Sequence, residues 1–307
     1  LREEFNFTAD AEISIEVDPR EIELDVLDHL RNEGFNRLSI GVQDFNKEVQ
    51  KLVNREQDEE FIIAMVQRAK ELGFRSTNLD LIYGLPKQTQ ALFAETLKQV
   101  LEMKPGRLSV FNYAHMPQLF AAQRKIKDED LPEAKEKMAI LQDTIETLTG
   151  AGYQFIGMDH FALPEDELAV AQREGILHRN FQGYTTKGEA DLIGFGVSAI
   201  SMVGDAYAQN QKELKKYYAQ VNDLRHALWK GVALDSDDLL RREVIKQLIC
   251  NFKLDKTMIE SEFSVNFNRY FKEDLELLQT FINDELVEVD DKEIRVTLRG
   301  RLLIRNI

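Results

Sequence analysis

The sequence predicts an α/β fold in which strands and helices alternate to build a parallel sheet, followed by a smaller, mainly helical domain. Three observations carry this. Segments of apolar–polar alternation recur between segments of helical period from about residue 12 to 163. These strand-like segments gather polar residues toward their late ends. The last third, from about residue 213, is dominated by helical period and closes on two period-two flanks around Asp290, Asp291 and Lys292.

The elements follow in order. In "EISIEVDP" (12–19), Ile13, Ile15 and Val17 alternate with Ser14, Glu16 and Asp18, the signature of a strand. "REIELDVLDHLRNEG" then runs at helical period and stops at Gly34. "RLSIGVQDF" (37–45) is the second strand, with a helix over about 56–72 behind it. "STNLDLIYGLP" (76–86) is the third, halted by Gly84 and Pro86, and its helix covers about 88–103. "RLSVFNYAHMP" (107–117) is the fourth, with a helix over about 132–150, and "YQFIGMDHFAL" (153–163) the fifth. Short links between alternating strands and helices imply right-handed crossovers and parallel pairing.

From about 164 the pattern changes. "PEDELAVAQREG" is helical and leads into "HRNFQGYTTKG" (178–188), where basic, amide and aromatic side chains crowd beside two glycines. The apolar, glycine-dotted run 189–210 reads either as a further strand or as a close-packed loop. Gly194 and Gly196 make no dinucleotide fingerprint, because Ala199 stands in the third glycine position and no βαβ unit surrounds it. The stretch 211–231 is amphipathic and reads as a helix bridging a first domain, 1–212, to a second, 213–307. Three further helices and the hairpin make the second domain winged-helix-like. The acidic helix before the hairpin, with Asp274, Glu276, Asp284 and Glu285, argues for packing on protein rather than DNA.

Composition narrows the function classes. The formal charge is −15 over 307 residues, which opposes a nucleic-acid or anionic-membrane surface. No apolar run has the length of a membrane span. The start, "LREEFNFTAD", has neither a signal nor a transit pattern, so the cytoplasm is the expected compartment. Cys250 is the lone cysteine and lies in an apolar helical setting, which excludes an internal disulfide or a Cys-only metal site within these residues and reads as an inert buried thiol.

The late ends of the strands carry the candidate chemistry. Glu16 and Asp18, Gln43 and Asp44, Asp80, Asn112 and His115, and Asp159 and His160 mark the five strands. In parallel βα architectures the carboxyl ends of the strands meet on one face, where ligands bind. Capping explains Asp18, just before Pro19, as well as ligand binding does; Glu16 and Gln43 occupy core-like positions and favour a polar lumen. Arg55, in "VNREQDEEF", reads from the residues alone as a surface ion pair with Glu59 or Glu60.

"EISIEVDPRE", "RLSIGVQDFN", "NLDLIYGLPKQT", "NYAHMP", "HRNFQGYTT" and "GVSAISM" together resemble the oxygen-independent coproporphyrinogen III oxidases, radical S-adenosylmethionine enzymes of haem biosynthesis. The strand motifs are shared with other radical S-adenosylmethionine proteins; "RNFQGYTT" is more specific, and the Tyr-Trp pair of the haem-chaperone-like relatives is absent. The resemblance implies a partial (β/α) TIM-like barrel plus the winged-helix-like domain. It implies oxidative decarboxylation of two propionates of coproporphyrinogen III to vinyl groups, with a 5′-deoxyadenosyl radical abstracting hydrogen. Two S-adenosylmethionine molecules and a 4Fe–4S cluster are the implied cofactors. The family's C-x-x-x-C-x-x-C loop does not occur in this sequence. The chain therefore reads as a piece lacking the first two βα units and the extreme C-terminus, inactive alone and with no metal ligands of its own. Residue by residue, Glu16 and Ile200 match contacts to the cluster-bound S-adenosylmethionine, and Gln43, Arg55, Asp80 and Ala114 match contacts to the second. Phe181 and Gln182 match residues needed for activity, and His178 and Arg179 are expected to meet substrate propionates. Implied partners are the tetrapyrrole and an electron donor and acceptor, small molecule or protein, with a monomeric enzyme. The competing readings are a non-catalytic haem carrier of the same fold and a winged-helix scaffold that binds a partner protein.

Overall fold

The computed structural model describes residues 2–307, and its chain divides into two compact units, the first running to Ala169 and the second from Val170 to Ile307. The first unit contains β1 (Ser14–Val17), α1 (Val26–Asn32), β2 (Arg37–Gln43), α2 (Lys47–Leu52), α3 (Glu59–Glu71), β3 (Ser76–Tyr83), α4 (Gln90–Met103), β4 (Arg107–Asn112), α5 (Ala134–Gly150), β5 (Gln154–Gly157) and β6 (His160–Ala162). The six strands form one sheet in the order β1-β2-β3-β4-β6-β5. Neighbours from β1 to β4 pair in parallel, as the alternation predicts.

Two predicted elements differ. The fifth strand is a hairpin: β6 turns back antiparallel on β5 and pairs antiparallel with β4. Gly157 and Met158, at φ 140° and 53°, supply the left-handed turn that a single strand over 153–163 would not allow. Asp159 therefore lies at a turn, and His160 opens the return strand opposite Ser109 instead of closing a parallel one. The helical stretch after β1 also shortens to Val26–Asn32, and a further helix, α2, begins where the Asn46 side chain accepts from the Glu48 and Val49 amides.

The sheet is two-faced. Leu38, Ile40, Val42, Leu79, Leu81, Leu108 and Val110 alternate along β2–β4 and are buried. Ile62, Met65, Val66 and Ala69 line one side of α3, and Phe93, Leu97 and Val100 one side of α4, completing this core. The intervening strand positions carry the polar residues.

The second unit begins within α6 (Glu167–Arg173) and contains β7 (His178–Asn180), β8 (Gly183–Thr185), β9 (Ile200–Val203), β10 (Ala206–Asn210), α7 (Leu214–Leu224), β11 (Leu228–Ala233), α8 (Ser236–Asn251), β12 (Lys253–Asp255), α9 (Lys256–Phe263), α10 (Phe267–Tyr270), α11 (Lys272–Asn283), β13 (Val287–Val289) and β14 (Glu293–Val296). Its start lies earlier than a 212/213 boundary, for a definite reason. β10 pairs with β9 and also with β11, so one antiparallel sheet binds residues on both sides of position 212. The helix expected over 211–231 ends at Leu224, where Arg225 turns left-handed at φ 63°, and the remainder becomes β11. The closing hairpin forms as predicted from β13 and β14, with β12 added as a third strand. Leu240, Leu254, Ile259, Phe267, Phe271, Val287 and Ile294 form the core beneath it.

Candidate functional site

The polar face of the first unit's sheet arises from the strand period itself. Ser39, Asn78, Asp80 and Ser109 occupy alternate positions on β2, β3 and β4 and meet side by side. Ser39 Oγ donates to Asp80 Oδ2 at 2.8 Å, Asn78 Nδ2 donates to Asp80 Oδ1 at 2.8 Å, and Ser109 Oγ donates to Asn78 Oδ1 at 3.2 Å. Asp80 is buried at 8% exposure and held by Ser39 and Asn78, with Ser109 bracing Asn78. Glu16 stands opposite Ser39 on β1, exposed and therefore open to a ligand. Ser39, Asn78 and Ser109 were not singled out from the sequence, although a small polar residue at alternate positions of "RLSIGVQ", "STNLDLIY" and "RLSVFN" is the signal that marks them.

Arg55 reaches this face from the loop between α2 and α3. Its Nη1 pairs with Asp18 Oδ2 at 3.2 Å and its Nη2 donates to the Gly41 carbonyl at 3.0 Å. This replaces the ion pair with Glu59 or Glu60 expected from the residues alone. Burial pulls the Arg55 guanidinium below its ordinary value, while the carboxylates of Asp18, Glu16 and Asp80 pull the other way. Gly41 lets two side chains close over it: a Cβ there would come within 2.8 Å of Arg55 Nη2 and 3.1 Å of Gln43 Nε2. The structure thus brings Glu16, Gln43, Arg55 and Asp80 together around Gly41, and adds Asp18.

Asp18 is held by two arginines. Arg20 Nη2 lies 2.7 Å from its Oδ2, and the Arg20 Nη1 also donates to the Asn54 carbonyl, tying β1 to the Arg55 loop. The Arg20 guanidinium beside Asp18 is the main reason its carboxyl lies at about 2 instead of 3.8, with Arg55 adding to the effect. A carboxyl depressed on folding stabilises the folded chain fully above about pH 4 and loses that contribution as pH falls toward its folded value. Allowing for solvent screening, about 1 kcal/mol is expected to vanish across that window. Urea unfolding of the wild type and Asp18→Asn between pH 5 and 2 checks this: only the wild type is expected to lose that increment.

Gln43 ends β2 with φ 67°, and the Asp44 amide bonds back to the Val42 carbonyl at 2.9 Å, closing a γ-turn about Gln43. Ala114 follows β4, exposed, with its carbonyl accepting from Gln123 Nε2 at 3.1 Å. Its bonds are to that segment and not to the Gly41 group. The neighbouring Tyr113 hydroxyl is 3.2 Å from His115 Nδ1, and His115 Nε2 is 3.2 Å from Asp128.

In the second unit, Phe181 and Gln182 are the two central residues of the β7–β8 hairpin turn, since Asn180 pairs with Gly183. Asn180 Oδ1 accepts from the Gln182 backbone amide at 2.8 Å, an Asx turn that fixes the hairpin tip, and Gln182 is exposed there. Phe181 is 56% exposed and stands edge-on to Tyr207 of β10, the ring centres 5.3 Å apart. Ile200 lies half-buried on β9 opposite Gln209. The His178 ring occupies the space where Gly188 lacks a side chain: a Cβ there would overlap it, at 2.0 Å. Burial, and then the Lys246 charge, lower the His178 pKa, which favours the neutral imidazole. Arg179, exposed with its guanidinium 5.6 Å from the Tyr184 ring centre, is the cation of the pair.

Residues 1–100 match the Radical SAM superfamily and residues 234–303 the HemN C-terminal domain. The oxygen-independent coproporphyrinogen III oxidase of Escherichia coli is 71% identical over 307 residues, all of this chain and 67% of that protein's length. Those of Pseudomonas aeruginosa and Helicobacter pylori are 51% and 46% identical. The chain belongs to the oxygen-independent coproporphyrinogen III oxidase family. The solved structure described as "Coproporphyrinogen III oxidase (HemN) from Escherichia coli is a Radical SAM enzyme" superimposes with a TM-score of 0.97 at 70% identity, covering 99% of this chain and 70% of that one. Radical SAM enzymes of this family use S-adenosylmethionine and a 4Fe–4S cluster. The cluster does not fit the residues of this chain: Cys250 is its one thiol, fully buried and pushed up by burial to about 12. S-adenosylmethionine does fit. The Gly41 cradle presents an arginine whose buried Nε has no hydrogen-bond partner among the described residues, beside carboxylates able to accept from an ammonium or ribose hydroxyls.

Proposed function

We propose that this chain forms the cofactor- and substrate-handling part of a coproporphyrinogen III oxidase that converts two propionate side chains to vinyl groups. The observation that carries the site reading is the Arg55 group: a forked cation packed over Gly41, with a buried carboxylate at Asp80 and an exposed one at Glu16 beside it. Each propionate gives up a hydrogen atom, CO₂ and one electron. S-adenosylmethionine, when bound and reduced, supplies the hydrogen-abstracting chemistry. Arg55 holds a methionyl carboxylate of the second S-adenosylmethionine and Asp80 its ammonium, while Gln43 and Ala114 bound the same molecule. Glu16 contacts the cluster-bound molecule. Phe181 offers a face to a flat ring and Gln182 an uncharged amide to polar groups, and Arg179 meets a substrate propionate. The enzyme acts as a monomer in the cytoplasm with a separate electron donor and acceptor; no helix among the described residues is long and apolar enough to cross a membrane.

The test is an anaerobic assay of the full-length protein with reductant, S-adenosylmethionine and coproporphyrinogen, followed by mass analysis of the tetrapyrrole. The expected result is loss of two CO₂ units in the wild type and a kcat about 100-fold lower for Gln182→Ala, since this reading gives its amide a polar contact to the substrate. A wild-type protein that cleaves S-adenosylmethionine but leaves all propionates intact would overturn the reading.

A further inference from the structure

We infer that Asp44 is a positioning residue: its buried carboxylate fixes the ends of the strands that carry Gln43 and Asp80, and its backbone carbonyl, with that of Val42, holds the segment that carries Arg55. The inference rests on the cofactor reading of those three residues. Asp44 itself is 1% exposed and does not share the open polar face. Its Oδ1 accepts from the Asn46 amide at 2.8 Å and from the Thr96 hydroxyl at 2.7 Å, and its Oδ2 accepts from Gln88 Nε2. The Gln88 Oε1 in turn accepts from the amides of Gly84 and Leu85, in the turn that ends β3. The Asp44 carbonyl accepts from Gln50 Nε2 at 2.8 Å. Gln57, two residues beyond Arg55, donates from Nε2 to the Val42 carbonyl.

The carboxylate therefore ties the γ-turn at Gln43 to the turn after β3, to α4 and to the start of α2, and the backbone carbonyls of Val42 and Asp44 hold Gln50 and Gln57 on either side of Arg55. The γ-turn with positive φ is a strained conformation for a side-chain-bearing residue and persists only where its surroundings hold it. Every group that faces the Asp44 oxygens is a donor, so an acceptor-only carboxylate satisfies all of them and an amide cannot. Asp44→Asn sets an NH₂ group against the Gln88 NH₂ or, flipped, against the Thr96 hydroxyl and the Asn46 amide. Adding Gln88→Glu removes that conflict and gives up only the weaker bond from Gln88 Nε2 to the Ile82 carbonyl, 3.1 Å long. The new carboxylate accepts from the new amide and still accepts from Gly84 and Leu85, with the pair's net charge unchanged.

The experiment is equilibrium dialysis of radiolabelled S-adenosylmethionine against the full-length protein, with thermal melts run in parallel. Asp44→Asn is expected to weaken binding about tenfold, and Asp44→Asn/Gln88→Glu to bring it back to within about fourfold of wild type, the lost bond to the Ile82 carbonyl accounting for the remainder. Wild-type binding by the single variant overturns the inference, and so does a double variant no better than the single. If the single variant does not fold, the double variant alone decides by the same criterion. If the wild-type protein binds no S-adenosylmethionine, the cofactor reading fails. The positioning role is then judged by amide exchange at Gly84 and Leu85, expected to speed about tenfold in Asp44→Asn and to recover in the double variant. Unchanged exchange overturns it.

Discussion

Arg55→Ala is expected to weaken S-adenosylmethionine binding by the full-length protein about 50-fold, the equivalent of about 2–3 kcal/mol for a charge-assisted hydrogen-bonding fork. The reason lies in what surrounds the guanidinium. It bridges the Asp18 carboxylate and the Gly41 carbonyl, and its field is shared with Glu16 and Asp80. Its removal takes away a partner for an incoming carboxylate and also leaves three acidic groups with less counter-charge, repelling that carboxylate. Arg55→Lys is expected to recover only part of the loss. A single ammonium cannot hold Asp18, the Gly41 carbonyl and a ligand in the geometry of a planar fork. Dialysis of labelled S-adenosylmethionine checks both variants, and equal binding by wild type and Arg55→Ala would remove Arg55 from the site.

The largest stability effect is expected in the second unit. Phe267 is 2% exposed, lies 4.7 Å from the Phe271 ring centre, and packs in a cluster with Leu240, Ile259 and Ile294. Phe267→Ala is expected to cost about 3–5 kcal/mol, because the lost apolar burial is compounded by a cavity that a close-packed core cannot collapse. Lys256 loses the ring 5.8 Å from its Nζ as well. Leu277, on α11 and 73% exposed, gives the contrast: Leu277→Ala is expected to change stability by under about 0.5 kcal/mol. Hydrogen exchange of the protected amides between 236 and 296 measures both. A small effect at Phe267 would mean that this core is looser than its packing indicates.

Much of the first unit was legible in the sequence because its strands have one dry face. Val17, Ile40, Val42, Leu79, Leu81 and Val110 alternate with polar residues, and that period fixes strand and face together. The same alternation marked Glu16 and Asp80. What was not legible depended on backbone turns or on contacts far apart in sequence. Gly157 and Met158 bend a run that reads as one strand, and the left-handed residue Arg225 stops an amphipathic helix that the side-chain pattern would continue into β11. Arg55 has acidic neighbours at short spacing, so local reasoning pairs it with Glu59 or Glu60, yet the loop delivers it to Asp18, thirty-seven positions earlier in the chain. Asp44 looked like another polar strand end. Its burial becomes evident only once Thr96 and Gln88 are seen to converge on it. Phe181 and Gln182 stood out by residue type, but their place at the two-residue tip of a hairpin required the pairing of Asn180 with Gly183.

The most direct test is a crystal structure of the full-length protein with S-adenosylmethionine bound, refined well enough to place the methionyl group. A methionyl carboxylate within hydrogen-bond reach of the Arg55 fork, with the ammonium beside Asp80 above Gly41, is the predicted result. Contradiction would be S-adenosylmethionine seated elsewhere while Arg55 still engages Asp18 and the Gly41 carbonyl and the polar face of β1–β4 carries solvent alone.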